Sequence, residues 1–154
     1  MLTLADAKPL DAGAIGAILS EHVDLSAWHP RVYSRAEEIH FADRMISFGW
    51  VRVARLDRRV VGFVARDQQD IRALFVRAGA QRKGIGNLLI NDAKRAGPGL
   101  VAWCYEANIA ARRFYNKAQF IEDCRTEGAE NDLKLPDIKY IWSRDKFRFN
   151  LNLN

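Results

Sequence analysis

Apolar positions follow a helical period in the first third of the chain and a strand period in its middle. The sequence opens with Leu2–Leu4, which fits a short strand, and continues with a helix over about Pro9–Val23. Pro9 suits the first turn of a helix, where its missing N–H has no partner within the helix. The residues that we predict to face the core from this helix are Leu10, Ala14, Ile18 and Leu19.

A second helix is predicted from a capping signal followed by an apolar stripe. Ser34 and Glu37 have the spacing of a capping box, in which each side chain bonds the other's backbone N–H. Gly49 is typical of a residue that ends a helix. The stripe that we expect to be buried consists of Ile39, Ala42 and Ile46.

At Trp50 the apolar period changes from helical to extended. Three segments rich in β-branched residues follow one another, separated by short polar breaks, which predicts three consecutive antiparallel strands. These segments are Trp50–Leu56, Val60–Arg66 and Asp70–Val76.

The remaining elements alternate between helix and strand. A helix from Ile85 stops at Gly97-Pro98-Gly99, and a second helix runs over about Asn108–Ala118. We predict further strands at Leu100–Tyr105, Phe120–Arg125 and Ile138–Ser143, with a long loop at Thr126–Pro136. Residues 1–146 therefore read as one α/β (α+β) domain, with a mixed, mostly antiparallel sheet of six to seven strands flanked by about four helices.

The last residues alternate apolar and polar side chains with the period of a strand. Phe147, Phe149, Leu151 and Leu153 are interleaved with Arg148 and three asparagines. Residues 147–154 are thus a C-terminal tail with three readings. They form a disordered tail, are residues appended to the native sequence, or form an edge strand that pairs with a second subunit in a homodimer.

Composition narrows the class of protein. The 154 residues include 49% hydrophobic ones, which is enough apolar surface for one folded domain. No window approaches the roughly 20 apolar residues of a membrane span, and the first residues do not resemble a secretory signal. Two cysteines make neither a disulfide framework nor a zinc site, so we expect no metal and a cytoplasmic location.

The formal charge of +5 and the pI near 9.5 raise the question of an anionic partner. Nucleic acid, a membrane surface and a phosphorylated small molecule all fit a basic protein. The Lys and Arg residues are scattered along the chain, and no known nucleic-acid-binding signature occurs. A nucleic-acid-binding domain is therefore the least favoured reading, and we expect no membrane partner.

The turn at Gln81–Gly86 has the properties of an anion-binding site. It lies between a predicted strand and a predicted helix, and the first N–H groups of a helix are unpaired and carry partial positive charge. Gly84 and Gly86 permit a sharp turn, and Arg82 and Lys83 add two charges. The spacing does not match a P-loop or a dinucleotide fingerprint. A tight turn with solvated bases is the alternative.

A second motif follows the next predicted strand, and with the turn it identifies a family. It reads Asn-x-x-Ala-x-x-Phe-Tyr-x-x-x-x-Phe over Asn108–Phe120, after a Gln-x-x-Gly-x-Gly turn at Gln81–Gly86. In this order the residues resemble the GNAT superfamily of N-acetyltransferases, which use acyl-coenzyme A. The resemblance covers Trp50 to about Ser143.

The resemblance implies a fold with splayed parallel central strands and a binding site for acetyl-CoA as co-substrate, without a metal. In this family the strand before the turn lies along the pantetheine arm, the turn holds the pyrophosphate, and the following helix meets pantetheine and thioester. Arg112 or Arg113 are further candidates for the phosphates. The residues that the resemblance assigns to the cofactor are Leu74, Phe75, Val76, Gln81, Arg82, Lys83, Gly84, Ile85, Gly86, Asn108, Ala111 and Tyr115.

Transfer of an acetyl group to an amine makes two chemical demands, because the resemblance implies direct attack on the thioester. The leaving thiolate needs a proton, and a phenol of pKa about 10 keeps its proton at neutral pH, so Tyr115 is the candidate general acid. A packing role beside Phe114 is the alternative. The amine must lose a proton, at a cost of roughly 4–5 kcal/mol for a pKa of about 10.4. Asp70 and Glu106 are candidate bases, and neither is identified.

The acceptor amine itself is not indicated by any motif. In this family the segment between the first two helices covers the acceptor groove, which makes Trp28, His29, Tyr33 and Glu37 or Glu38 candidate lining residues. His22, His29 and His40 have no metal-ligand spacing and are predicted to be surface or loop residues. Cys104 is predicted to be a small buried thiol. A non-catalytic module that binds CoA or acyl-CoA is the main alternative to an enzyme.

Overall fold

The computed structural model describes residues 1–145, so our expectations for residues 147–154 lie outside the described residues. The strands are β1 (Leu2–Asp6), β2 (Val51–Leu56), β3 (Arg59–Asp67), β4 (Asp70–Val76), β5 (Gly99–Tyr105), β6 (Ile121–Thr126) and β7 (Asp137–Ser143). The helices are α1 (Ala12–Leu25), α2 (Arg35–Ser47), α3 (Ile85–Arg95) and α4 (Ile109–Lys117).

All seven strands form one sheet in the order β1-β2-β3-β4-β5-β7-β6. Neighbours are antiparallel except β4 and β5, which are parallel and pair only at Asp70–Val101 and Ile71–Ala102. Beyond Ile71 the two strands part, while β4 stays paired with β3 as far as Val76. The predicted mixed sheet with splayed central parallel strands is confirmed.

Helices cover both faces of the sheet. One core lies between the sheet and the α3–α4 layer and includes Ile85, Leu89 and Tyr115. The other lies between the sheet and the α1–α2 layer and includes Ile15, Phe63 and Val53. Adjacent residues of β4 contribute to opposite cores, because side chains alternate across a strand.

The prediction for the buried face of α1 is wrong in part. Pro9–Asp11 forms a 3₁₀ turn rather than the first α-helical turn, so α1 begins later and with a different phase. Leu10 is 96% exposed and Ala14 is exposed, whereas Ile18 is buried as predicted. The residues that α1 buries are Ala12, Ile15, Gly16, Ile18 and Ser20.

The start of α2 is confirmed, and one residue of its predicted stripe is not. The Ser34 hydroxyl accepts from the Glu37 N–H at 3.1 Å, and the Ser34 N–H donates to the Glu37 carboxylate at 3.0 Å. Ala42 is fully buried, but the Ile39 side chain is 42% exposed. Both the backbone and the Cγ1 of Ile39 lie against α1 at Gly16, so this residue makes the close contact of the two helices although part of its side chain is exposed.

An ion pair between Arg31 and the buried Glu38 fixes the segment between α1 and α2. Arg31 donates to the Glu38 carboxylate at 2.7 Å and to the Ser20 hydroxyl at 2.8 Å. It also donates to Asp24 at 2.8 Å, so one guanidinium joins both helices to the connecting loop. Within residues 1–145, no helix combines the length and apolar character that a membrane crossing requires.

The contact between α1 and α2 yields a paired test of stability. A Cβ at Gly16 would lie 2.9 Å from the Ile39 Cα, so the helices would have to move apart, whereas a Cβ at Gly13 would meet nothing within 4 Å. We expect Gly16→Ala to lower the free energy of unfolding by about 1–3 kcal/mol through overpacking. Gly13→Ala should leave it unchanged or raise it, because alanine favours helix. Urea unfolding measures both, and equal effects would contradict this helix contact.

Candidate functional site

The parting of β4 and β5 creates an opening in the middle of the sheet. Leu74 and Val76 point to the α3–α4 side, and Phe75 points to the α1–α2 side. Along this part of β4 the edge that faces β5 has no ladder partner among the described residues. Backbone groups at such an edge need water or a ligand as hydrogen-bond partner.

The turn that follows β4 presents a run of unpaired backbone amides. The Gln81 N–H donates to the Ala78 carbonyl, and the next N–H along the chain with a backbone acceptor is that of Leu88, which donates to the Gly84 carbonyl. Among residues 1–145, the backbone N–H groups of residues 82–87 therefore have no backbone partner. Arg82 and Gly84 have φ values of 65° and 77°, in the left-handed region. Left-handed residues beside a helix start make a concave group of N–H donors that suits anions.

Two cations accompany these amides. Arg82 and Lys83 are exposed and form no ion pair with the described residues. Gly86 lies against α4, where an added Cβ would be 3.0 Å from the Phe114 ring. Gln81 extends back to β4, and its amide nitrogen is 3.4 Å from the Val76 carbonyl oxygen. The turn and the open edge of β4 are therefore neighbouring parts of one surface.

Helix α4 begins as predicted. The Asn108 side chain accepts from the Ala111 N–H at 3.1 Å, which makes Asn108 the N-cap. Ala111 is partly buried against the α3–α4 core. The side-chain oxygen of Asn108 is engaged in this cap, so its amide NH₂ is the part that is available to a ligand.

Tyr115 stands on the inner face of α4, with its ring in the core. The ring stacks on Tyr140 with centroids 5.7 Å apart and packs against Phe120 at 5.1 Å. Burial raises the pKa of Tyr115, so the phenol is protonated at neutral pH.

Cys104 lies on β5 behind Tyr115 and is buried, as predicted. Burial raises the pKa of this thiol to about 11, which is the environment of an inert structural cysteine rather than a nucleophile. Cys124, on the edge strand β6, is exposed.

The two candidate bases occupy opposite ends of the central strands. Asp70 lies where β4 and β5 are still paired, about 13 Å along the strand from Leu74. Glu106 follows β5 at the open end, but its carboxylate is 2.7 Å from the Arg125 guanidinium. Arg112 donates to the Glu106 carbonyl and lies beside the Tyr140 hydroxyl, so it is engaged away from the turn.

Aromatic and imidazole rings cover the opening on its α1–α2 side. We call this set, which consists of His22, Trp28, His29, Phe75 and Tyr105, the ring cluster. His22 lies 4.7 Å from Phe75 on β4, and Trp28 lies 5.7 Å from Tyr105 on β5, measured between ring centroids. The cluster thus bridges the two parted strands. The prediction that His22 is a surface or loop residue was wrong, because His22 lies on α1 and is half-buried beside Phe75. Its burial lowers the pKa of the imidazole to about 4. His40 is exposed, as predicted.

The predicted acidic lining residues have structural partners. Glu38 is buried and paired with Arg31, and Glu37 completes the α2 cap. Tyr33 packs on Phe41 and lies beside the Asp132 carboxylate, which raises the pKa of Tyr33. Asp132 belongs to the β6–β7 loop, so that loop lies against the segment between α1 and α2.

Three features of the site were missed in the sequence. His22 lies seven residues after Ile15 and four after Ile18, so the helical period was a signal that His22 faces inward. Phe75 was assigned to the cofactor strand without regard to the face on which it lies. The approach of Asp132 to Tyr33 joins distant segments and has no local signal.

The comparisons with known proteins agree with this geometry. The family model for the acetyltransferase (GNAT) domain matches residues 47–122, which contain the splayed strands, the glycine turn and α4. Over this segment the chain is similar to the GNAT superfamily, and the resemblance carried by the two motifs is confirmed.

One curated relative matches a limited part of the chain. A probable N-acetyltransferase of Mycobacterium tuberculosis is 44% identical over 62 residues, which are 39% of this chain and 36% of that protein. The match thus spans about a third of the relative's length.

Solved structures share the fold over nearly the whole chain. Apo YjaB from Escherichia coli has a TM-score of 0.78 at 22% identity and covers 92% of this chain and 97% of its own. Ribosomal-protein-alanine N-acetyltransferase from Brucella melitensis has a TM-score of 0.71 at 18% identity, covering 92% and 99%. The yncA structure from Salmonella typhimurium, with its cofactor acetyl-CoA, has a TM-score of 0.69 at 21% identity, covering 94% and 95%.

The half-buried position of His22 predicts a pH-dependent stability. Its pKa falls from about 6.5 in the unfolded chain to about 4 in the fold, through burial and the nearby His29. Below pH 6.5 the unfolded chain takes up a proton that the folded chain does not, so stability falls until about pH 4. Between pH 7 and pH 4.5 the free energy of unfolding falls, and we expect His22→Phe to make this fall smaller by about 2 kcal/mol.

Urea unfolding at several pH values measures this loss for each variant. His40→Gln, which changes an exposed histidine on α2, is the matched control and should follow the parent protein. An unchanged pH dependence in His22→Phe would show that this imidazole titrates normally.

Proposed function

We propose that the protein is an acyl-CoA-dependent N-acyltransferase that transfers the acetyl group of acetyl-CoA to a primary amine. One observation carries the proposal: the opening between β4 and β5 is continuous with the unpaired amides at the start of α3. A long cofactor with a polar arm and a pyrophosphate needs two adjacent sites. The open strand edge can bond the arm, and the unpaired amides can bind the pyrophosphate.

In this proposal the chain holds the cofactor in three places. The amides of residues 82–87 and the charges of Arg82 and Lys83 bind the pyrophosphate. The free edge of β4 along Leu74–Val76 forms backbone hydrogen bonds with the pantetheine arm, and the amide of Asn108 contributes from α4. The acetyl-CoA in the yncA structure, which shares this fold, supports the choice of cofactor.

The proposed reaction is a direct transfer without a covalent enzyme intermediate. The nitrogen lone pair of a neutral amine attacks the thioester carbon, and the C–S bond breaks. The nitrogen releases one proton to solvent, so an amide and a thiolate result. Tyr115 donates its hydroxyl proton toward the sulfur as negative charge develops there. Burial holds this phenol in its protonated form, so the donor is available across the neutral pH range.

The role of Tyr115 is tested by removing only its hydroxyl. We expect Tyr115→Phe to lower kcat by about 10²–10³-fold, in the range of a lost acid catalyst, with the Kd of acetyl-CoA changed less than threefold. Release of free CoA thiol measures kcat, and the thermal shift with acetyl-CoA measures binding. Tyr140→Phe, which removes a hydroxyl from the stacked neighbouring ring, is the matched control and should retain most activity.

Three outcomes would contradict parts of this account. Unchanged kcat in Tyr115→Phe would remove Tyr115 as the proton donor. Saturable CoA binding without thiol release from a broad panel of amines would identify a non-catalytic CoA-binding module. No effect of acetyl-CoA on the melting temperature would contradict the cofactor itself.

A further inference from the structure

The ring cluster occupies the place from which an acceptor must approach the opening. Tyr115 and the glycine turn lie toward the α3–α4 side, while the ring cluster lies on the α1–α2 side, so the two flank the parted strands from opposite faces. Phe75 and Tyr105 bring the cluster to the edges of β4 and β5. An amine that reaches the thioester from this side must therefore pass the rings.

The rings of the cluster contact one another at tilted and edge-to-face angles. Trp28 is tilted 38° from His29 and 49° from Tyr105, and His22 is 87° from His29. Tilted and edge-to-face contacts are the preferred arrangements of aromatic rings, and they contribute beyond the apolar area that they bury. The rings are half-buried rather than enclosed, so their outer faces are open.

Most charged groups around the cluster are already paired, and the exception is Asp132 of the β6–β7 loop, whose carboxylate lies beside Tyr33 and Tyr105. Among the described residues, Glu38 and Asp24 bind Arg31, and the Glu21 carboxylate accepts from the Ala78 N–H at 2.7 Å. A polyamine or an amino sugar needs additional polar partners, because polar groups lose free energy when they are buried without them. An amino acid carboxylate would need a free cation, and Arg31 is engaged.

His22 adds no charge of its own to this surface at neutral pH. Its imidazole is packed on Phe75 and faces His29, while the nearest carboxylates on α1 and the connecting loop are those paired above. This surface therefore presents rings and the Asp132 carboxylate to the acceptor, which suits an amine that carries one nitrogen on an aromatic ring system.

From this geometry we infer that the acceptor is a small primary amine on an aromatic skeleton, whose ring stacks against Trp28 and Tyr105 while its nitrogen enters the opening between β4 and β5. The inference rests on the proposed acetyl transfer and names its substrate class. Trp28 and Tyr105 are in this view the specificity-determining residues.

A panel of amines tests the inference through thiol release from acetyl-CoA. The aromatic member is 2-phenylethylamine, and its matched aliphatic member is 2-cyclohexylethylamine, which has a similar size without a π face. Spermidine, lysine, glucosamine and a short peptide with a free N-terminus represent the other classes. We expect kcat/KM for 2-phenylethylamine to be at least tenfold higher than kcat/KM for each polar amine. It should be about threefold higher than kcat/KM for 2-cyclohexylethylamine.

Variants then connect the preference to the ring cluster. Trp28→Ala should raise the KM for 2-phenylethylamine at least tenfold, with kcat within threefold and the KM for acetyl-CoA unchanged. Trp50→Ala is the matched control, because Trp50 is also half-buried but packs on Phe48 and Arg72 at the opposite end of the sheet. Trp28→Phe should recover most of the lost affinity, which a purely structural role in the loop would not predict.

Each result has a definite meaning. Transfer to polyamine, sugar or peptide with a kcat/KM above that for 2-phenylethylamine would overturn the inference and leave the proposed function standing. Equal effects of Trp28→Ala and Trp50→Ala would also overturn it. Acetyl-CoA binding by thermal shift, without transfer to any amine, would instead reject the proposed function and with it the inference.

Discussion

The parting of two parallel strands is the constraint on which the rest of the site depends. After the pair Ile71–Ala102, β4 and β5 no longer bond to each other, although each stays in the sheet through its other neighbour. Strand edges in a core must find hydrogen-bond partners, so the fold has to supply water or a ligand at this point. The path of the two strands therefore makes the opening a binding surface. One hydrophobic core lies on each face of the sheet around it.

Two different chemistries meet at the opening. On the α3–α4 side the chain offers unpaired amides, two cations and a protonated phenol, which together suit an anion and a leaving thiolate. On the other side it offers rings. Asp24 and Glu38 nearby are paired with Arg31, and the Asp132 carboxylate lies beside Tyr33 and Tyr105. The division follows from the alternation of side chains along β4, which sends Phe75 to one face and its neighbours Leu74 and Val76 to the other.

The sequence was most informative where a local signal coincides with the site. The sequence predicts the glycine turn and the Asn108 cap, because a turn and a helix start require particular residue types at fixed positions. It also predicts the succession of strands along the chain. The phase of α1 was not visible, because Pro9–Asp11 forms a 3₁₀ turn that shifts which residues face inward. The ring cluster joins α1, a loop and two strands, and contacts between such distant segments leave no local pattern. The family motifs report the donor side, so the acceptor side had to come from the structure.

Amide hydrogen exchange with and without CoA shows whether the opening between β4 and β5 and the turn after β4 hold the cofactor. The account predicts slower exchange for the amides of residues 82–87 and for Leu74–Val76, since the former are unpaired and the latter adjoin the open strand edge. The hairpin between β2 and β3, around Asp57 and Arg58, should exchange equally in both states. Binding of CoA that leaves residues 82–87 unprotected, or that protects the hairpin instead, would contradict the assignment of this opening as the cofactor site.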